Sequence, residues 1–150
     1  MANNKYQMLV DHGIKSVYIA NRMRGLPNFG RDWFDETRPA LRELGIKVYC
    51  PVELDRIFPC PYADHASQEA WRHFMQRDLE CILQVKPDAI LLGPQWVLSP
   101  GANIEAAVAG MVVGARAYHD IHDDLYELHV SDPKVKWGIC LYNAHGPSPN

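Results

Sequence analysis

The stretch that decides the fold runs from Ala89 to Gly114 and reads AILLGPQWVLSPGANIEAAVAGMVVG. It opens with a short apolar run, typical of a buried parallel strand, and then turns at a Gly-Pro pair. After Ser99 it enters a helix that is rich in alanine and glycine. Glu105 stands in the first turn or so of this otherwise apolar helix, so the segment carries one conspicuous charge.

Glu105 has two interpretations. A helix N-terminus is electropositive, so we expect the carboxylate to stay ionised there, where it can act as a nucleophile or an anchor. Alternatively, Glu105 is an ordinary first-turn glutamate that satisfies free backbone N–H groups. Taken alone, the segment favours the second interpretation, and the rest of the chain has to decide.

Length and composition restrict the class of protein. The chain has 150 residues, which suffices for one domain with a sizeable core. Hydrophobic residues make up 47% and charged residues 22%, as in an ordinary globular protein. The formal net charge of -3 provides no basic footprint for a nucleic-acid polymer, so any anion site must be local.

The cysteines, histidines and N-terminus bear on metals and on the cellular compartment. The cysteines are scattered without a C-x-x-C pair, which argues against a disulfide framework and a metal cluster. His119 and His122 lack a third ligand at a metal spacing, so we expect the His- and Asp-rich patch 119–124 to be solvated surface. No stretch has the apolar length of a signal peptide or a membrane span. We therefore expect a reduced, cytoplasmic protein without membrane contact.

Strands and helices alternate along the chain. Helical periodicity falls at about residues 32–44, at 67–85 and after Ser99, with Ser67 as a candidate N-cap. This alternation, with a central strand that is apolar on both faces, predicts a single doubly wound, Rossmann-like α/β domain. We expect a parallel sheet of about five strands with helices on both faces. The predicted strands are Ser16–Ala20, Ile46–Cys50, Ala89–Leu92, Ala115–Tyr118 and Trp137–Tyr142.

Four places are predicted to lack or to interrupt regular structure. Residues 1–13 and 144–150 are interpreted as a flexible lead-in and a flexible tail. The proline-rich segment 51–66 is interpreted as a loop over the carboxyl edge of the sheet. Pro39 predicts either a kink or a late start in the first long helix.

The loop after the first predicted strand is a candidate anion site. Residues 21–30 include Arg22 and Arg24 together with two glycines and a proline. Ligands of open α/β sheets bind where the carboxyl ends of the strands meet, and paired arginines suit phosphate through their forked donors. The alternative is a pair of solvated loop charges, which is favoured when the loop is considered alone.

Asp78 falls on the apolar stripe of the second long helix, which continues at Ile82 and Val85. An acid on a buried stripe is costly unless it is paired, hydrogen-bonded or protonated. A partner such as Arg77 or Arg72 at the helix rim would explain its position. A pocket that raises the pKa of Asp78 for general acid catalysis would explain it equally well, and both explanations stay open.

Three stretches together resemble a known family. They are YIANRMRG (Tyr18–Gly25), RDLECIL (Arg77–Leu83) and SPGANIEAAVA (Ser99–Ala109). In this order they resemble the nucleoside 2-deoxyribosyltransferase-like superfamily, and within it the 2'-deoxynucleoside 5'-phosphate N-hydrolases and related small bacterial and phage proteins. The resemblance covers roughly residues 16 to 118, and the loop that begins at Gly93 departs from the hydrolase pattern.

The resemblance implies roles for individual residues. Glu105 corresponds to the nucleophile, Asp78 to the aspartate of the long helix and Tyr18 to a tyrosine near the sugar and base. Arg24, with Arg22 nearby, corresponds to the arginine that contacts the 5'-phosphate. The other residues that we assign to the substrate site are Asn21, Gly25, Trp96, Ser99, Gly101 and Asn103.

The activity implied by the resemblance is hydrolysis of the N-glycosidic bond of a 2'-deoxynucleoside 5'-monophosphate. The two carboxyl groups of retaining glycosidases lie about 5 Å apart, so we expect Asp78 and Glu105 to converge. Deoxyribosyl transfer between bases and a non-catalytic nucleotide-binding module are the alternatives. The expected partners are a small deoxynucleotide or nucleoside and at least one further copy of the chain, without a cofactor or a metal.

Overall fold

The computed structural model describes residues 4–129, which form one mixed α/β unit. Its five-stranded sheet has the order β2-β1-β3-β4-β5. The strands are β1 (Ser16–Ala20), β2 (Lys47–Tyr49), β3 (Ala89–Leu92), β4 (Arg116–Ile121) and β5 (Asp124–Leu128). The helices are α1 (Gln7–Asp11), α2 (Arg31–Glu43), α3 (Pro51–Ile57), α4 (Gln68–Val85) and α5 (Pro100–Ala107), which continues as a π-helical turn, Val108–Val113.

Strands β1 to β4 are parallel, as predicted, and helices cover both faces of the sheet. One core joins α1 and α2 to the sheet through Leu9, Phe34 and Leu41. The other core joins α4 and α5 to the opposite face through Ile82, Ala102 and Ala106. The prediction of a doubly wound α/β domain is therefore confirmed.

The centre of the sheet consists of β1 and β3, whose side chains are buried on both faces. All four residues of β3 are 0% exposed, which explains its uninterrupted apolar sequence. Tyr18 lies beside Ile90 across the β1–β3 pair. The chain leaves β1 towards β2 on one side and leaves β3 towards β4 on the other, so the carboxyl ends of β1 and β3 mark the switch point at which ligands of such sheets bind.

The two long helices begin and end close to the predicted positions. Ser67 caps α4, since its Oγ accepts a hydrogen bond from the Ala70 N–H at 3.1 Å. Gly45 follows α2 in a left-handed conformation, with φ of 79°. The helix α2 already starts at Arg31, so the late start predicted from Pro39 is wrong and the helix instead contains this proline.

Two predictions about irregular segments are corrected. Residues 1–13 were expected to be a flexible lead-in, but they include α1, whose Leu9 is fully buried against the sheet. The proline-rich segment was expected to be a loop, but α3 begins there because proline suits the first turn of a helix. The expected strand 137–142 and the tail 144–150 lie outside the described residues.

The edge of the sheet beyond β3 also differs from the prediction. The fifth strand, β5, follows β4 directly and pairs with it antiparallel, so the sheet is mixed. The strand β4 extends to Ile121 and includes part of the His- and Asp-rich patch. Residues 121–124 are exposed, as expected of solvated surface, but Asp120 departs from this expectation because it is only 1% exposed. No helix within residues 4–129 has the length and apolarity needed to cross a membrane.

Candidate active site

The core between the sheet and α4–α5 contains a group of ionisable side chains. Tyr18 comes from β1, Asp78 from α4 and Glu105 from α5, and all three are buried. The Tyr18 hydroxyl donates a hydrogen bond to Oε2 of Glu105. Burial raises the pKa of Tyr18, and the charges of Glu105 and Asp78 raise it further. The structure thus brings together the three residues to which a catalytic role was assigned from the resemblance.

Asp78 is held by its neighbour in sequence. The Arg77 guanidinium approaches Oδ1 of Asp78 from Nε at 2.9 Å and from Nη2 at 2.8 Å. Burial nevertheless raises the pKa of Asp78 to about 6, against the lowering effect of Arg77. Asp78 therefore has the arginine partner that the first explanation required and a raised pKa as in the second, while its role as a general acid stays a prediction.

The position of Glu105 corrects one prediction. It is the sixth residue of α5, in the second turn, where the field of the helix N-terminus has largely decayed. Burial raises the pKa of Glu105 well above its usual value, the Asp78 charge raises it further, and the Tyr18 hydrogen bond only partly offsets these effects. The expected place of Glu105 at the helix N-terminus is thus wrong, and burial disfavours its ionised form.

Asp78 and Glu105, here called the carboxyl pair, each have one oxygen without a hydrogen-bond donor among residues 4–129. Arg77 holds Oδ1 of Asp78 and Tyr18 holds Oε2 of Glu105. No residue within 4–129 donates to Oδ2 of Asp78 or to Oε1 of Glu105. Because two like charges repel each other in a buried site, the pair favours keeping one proton between them. One carboxylate and one carboxylic acid are the groups that acid-assisted nucleophilic chemistry requires.

Cys81 is a neighbour of the carboxyl pair that our sequence analysis did not assign. It lies three residues after Asp78 on α4, so the helical spacing was a signal that could have identified it. Burial raises the pKa of the Cys81 thiol to about 11, and the charges of Asp78 and Glu105 contribute to the increase. This shift disfavours the thiolate, which is the form in which a cysteine acts as a nucleophile.

The loops that follow β1 and β3 meet at the switch point. Oδ1 of Asn21 accepts a hydrogen bond from the Gln95 N–H at 2.9 Å. Gly93 lies so close that a Cβ atom at its position would be 2.4 Å from Cγ of Asn21. A glycine is required there because any side chain would push the two loops apart. Asn21 thus connects residues 21–30, here called the arginine loop, to the loop that leads into α5.

The two arginines of the candidate anion site have different surroundings. Arg22 donates from Nε to the Arg24 carbonyl at 3.0 Å and from Nη1 to Gln95 at 3.4 Å. Gly25 has φ of 78° and leaves room for the Arg22 guanidinium. Arg24 makes one long hydrogen bond, 3.5 Å from Nη2 to the His65 carbonyl. Arg22 therefore shapes the loop, while Arg24 retains more free donors for an anion.

The remaining candidates for substrate binding shape the start of α5. Ser99 is its N-cap, with Oγ accepting from the Ala102 N–H at 3.1 Å. Asn103 donates to three backbone carbonyls, including those of Trp96 and Ser99. The Trp96 ring is buried, and a Cβ atom at Gly101 would be 3.2 Å from Sδ of Met75. None of these side chains hydrogen-bonds to the carboxyl pair.

Asp55 also belongs to this site, and no sequence signal indicated it. It lies on α3, in the segment that was predicted to be a loop, and accepts a hydrogen bond from Nη1 of Arg77. Arg77 is thereby connected to both α3 and α4. In the described part of the chain, no group of three or more His, Cys, Asp or Glu residues is arranged to hold a metal ion.

Comparisons with known proteins identify the family of the chain. No curated protein and no solved structure matched it. One protein-family model, described as a domain of unknown function (DUF4406), matches residues 15–115. The match spans β1 to the end of α5 and therefore includes the arginine loop and the carboxyl pair. The chain belongs to this DUF4406 family of domains of unknown function.

Proposed function

We propose that the protein hydrolyses the N-glycosidic bond of a 2'-deoxynucleoside 5'-monophosphate. The observation that carries this proposal is the carboxyl pair, in which each buried acid keeps one oxygen without a donor from residues 4–129. Breaking an N-glycosidic bond builds positive charge at the sugar C1', which a carboxylate stabilises, while an acid must protonate the departing base. The pair contains both groups.

In the proposed reaction, the carboxylate oxygen of Glu105 forms a bond to C1' as the bond from C1' to the base nitrogen breaks. The electron pair of the broken bond stays on the base, which takes the proton of Asp78. Asp78, now ionised, accepts a proton from a water molecule that attacks C1' of the glycosyl ester. This second step breaks the bond between Glu105 and C1', releases deoxyribose 5-phosphate, and regenerates the Glu105 carboxylate and protonated Asp78. A second base in place of water would give deoxyribosyl transfer instead.

The mechanism requires the proton of the carboxyl pair to be on Asp78 when the bond to the base breaks. In the free protein, burial favours the protonated form of Glu105, whereas Arg77 favours the ionised form of Asp78. The positive charge that develops at C1' as the base leaves favours the opposite distribution in the carboxyl pair, with the negative charge on Glu105 and the proton on Asp78. The reaction therefore proceeds from the form with the proton on Asp78, the group that must donate it, and the Tyr18 hydrogen bond stabilises the charge on Glu105.

The arginine loop supports a nucleotide rather than a nucleoside as the substrate. Arg24 lies after β1 at the switch point of the sheet and has donors that are not used by residues 4–129. A guanidinium binds phosphate through two parallel hydrogen bonds. The resemblance to nucleotide N-hydrolases assigns the same role to Arg24.

The activity can be tested with a panel of 2'-deoxynucleoside 5'-monophosphates and the corresponding nucleosides. The purified protein is incubated with each compound, alone and with an acceptor base, and free base and sugar phosphate are quantified by liquid chromatography and mass spectrometry. We expect base release from at least one nucleotide. The absence of released or exchanged base in every reaction would refute the proposed function.

The phosphate assignment predicts a selective effect of Arg24→Ala. We expect kcat/KM for the nucleotide to fall by about 10- to 100-fold, because charge-assisted hydrogen bonds to the phosphate are lost, while kcat/KM for the nucleoside stays nearly unchanged. Arg72→Ala, which removes the same charge from an exposed position on α4, serves as the control. Equal losses for nucleotide and nucleoside would contradict the assignment.

A further inference from the structure

The Arg77 guanidinium is shared between two carboxylates that belong to different helices. Its Nε and Nη2 approach Oδ1 of Asp78, and its Nη1 donates to Oδ1 of Asp55. Nη2 also donates to the Pro51 carbonyl at 3.3 Å, at the start of α3. Contacts to both α3 and α4 therefore fix the plane of the guanidinium.

The arginine contacts only one of the two carboxylate oxygens of Asp78. An arginine with a single carboxylate partner favours a bidentate arrangement in which its donors hold both carboxylate oxygens. Here Nη1 is occupied by Asp55, and both contacts to Asp78 go to the same oxygen, Oδ1. Oδ2 of Asp78 consequently has no donor among residues 4–129.

We infer that Asp55 is a positioning residue, which holds Arg77 on one oxygen of Asp78 and leaves Oδ2 open for the proton that the reaction moves. Asp55 does not touch the reacting atoms in this scheme and acts through Arg77. The inference builds on the proposed function, because the open oxygen belongs to the proposed general acid. It also explains why α3, a short helix after β2, contacts the buried Arg77 through Asp55.

The negative charge of Asp55 has a second effect on Asp78. The groups that act on Asp78 are Arg77 from its own helix and Asp55 from α3, and Asp78 in turn acts on Glu105 of α5 and Tyr18 of β1. Arg77 lowers the pKa of Asp78, whereas the negative charge of Asp55 raises it. Asp55 thus keeps Arg77 from stabilising the ionised form of Asp78 too strongly, so that this acid can still bind a proton.

The inference can be tested by following the titration of Asp78 in Asp55→Asn and Asp55→Ala. The side-chain carboxyl carbon of Asp78 is observed by ¹³C NMR, with Asp78→Asn used to assign its signal. Asparagine can still accept the Arg77 hydrogen bond but carries no charge, whereas alanine removes both the contact and the charge. Glu53→Gln is the matched control, because Glu53 lies on the same helix and pairs with Arg42 instead.

We expect the midpoint of the Asp78 titration to move to lower pH in both Asp55 variants and to stay in place in Glu53→Gln. In the rate assay, the rate should decline from its plateau at a lower pH in Asp55→Asn than in the unaltered protein, because Asp78 loses its proton earlier as the pH rises. The plateau rate itself should fall about tenfold only in Asp55→Ala, where Arg77 is free to occupy both oxygens of Asp78.

Two different outcomes separate this inference from the proposed function. A midpoint that does not move in Asp55→Asn, or that moves to higher pH, would overturn the role of Asp55 whether or not the protein cleaves nucleotides. The absence of base release by the unaltered protein would overturn the proposed function, while the NMR titration would still decide how Asp55 acts on Asp78. Circular dichroism of each variant verifies that the fold is retained.

Discussion

The protein buries carboxyl groups on both faces of its sheet, and the two faces treat them differently. On the α1–α2 face, Asp120 accepts hydrogen bonds from Lys5 at one oxygen and from Tyr6 and Trp33 at the other, the last two at 2.7 and 3.0 Å. On the α4–α5 face, each member of the carboxyl pair has a donor on one oxygen only, among residues 4–129. Asp120 and the carboxyl pair are buried to a similar extent, but within residues 4–129 only Asp120 has hydrogen-bond donors on both of its oxygens.

This difference shows that burial of an acid does not by itself indicate a functional site. A buried carboxylate with all of its oxygens hydrogen-bonded stabilises the contacts that surround it, because removing it would leave several donors without partners. A buried carboxyl group with an open oxygen lowers the stability of the fold and is retained where a ligand or a reaction uses that oxygen. Asp120 therefore belongs to the scaffold, and the carboxyl pair is the candidate for chemistry.

The largest effect that this comparison predicts is the loss of turnover in Glu105→Gln. Glutamine preserves the size of the side chain but cannot form the glycosyl ester, so we expect kcat to fall by at least about 10⁴-fold. Base release is measured under saturating nucleotide, with Glu80→Gln on the exposed side of α4 as the control. Activity within tenfold of the unaltered protein would exclude Glu105 as the nucleophile.

Asp120→Asn should produce the opposite result, with a large effect on stability and a small one on catalysis. The change leaves Lys5 without its anionic partner and turns an amide N–H towards donors, so we expect the free energy of unfolding to fall by about 2–3 kcal/mol. Urea denaturation measures this loss. Asp124→Asn, at an exposed position of the same hairpin, should stay within about 0.5 kcal/mol.

The activity per folded molecule should be unchanged in Asp120→Asn. If this variant lost turnover as Glu105→Gln does, the division between a scaffold acid and a reactive pair would be wrong. If its stability stayed the same, the hydrogen bonds of Asp120 would not have the structural role that we assign to them.

Local sequence patterns predicted much of the fold. The apolar run of β3, the Ser67 cap of α4 and the turn before the alanine-rich α5 are signals that act within a few residues, and each identified an element at nearly the right position. The pairing of β5 with β4 depends instead on contacts between elements. The same is true of α1, which is short, lacks a side-chain cap and is held in place by its buried Leu9.

The candidate site was predictable only in part, for a similar reason. An acid on an apolar helical stripe indicated Asp78, and the family resemblance indicated Glu105 and Tyr18, which the structure places together. The sequence did not show which oxygens would lack donors, since this depends on how α3 presents Asp55 to Arg77. The substrate, the catalytic activity and the association of the chain into a dimer remain predictions.

The smallest predicted effect concerns the pH dependence of stability. The pKa of Glu105 lies well above its usual value in the folded protein, so the folded state binds a proton that the unfolded chain releases. The stabilisation from this proton is complete below the usual pKa of a glutamate and is lost as the pH rises through the raised pKa of Glu105. Asp78, with its pKa raised to about 6, changes stability in the same direction.

Glu105→Gln should therefore have a shallower decline in the free energy of unfolding between pH 5 and 8 and should exceed the unaltered protein by about 1 kcal/mol at pH 8. Urea denaturation at pH 5 and pH 8 measures the difference in the free energy of unfolding between the two proteins. Histidines titrate in both proteins alike, so their contributions cancel in this difference. Parallel pH profiles would mean that Glu105 is already stabilised as an anion by the fold, and the contrast with Asp120 would disappear.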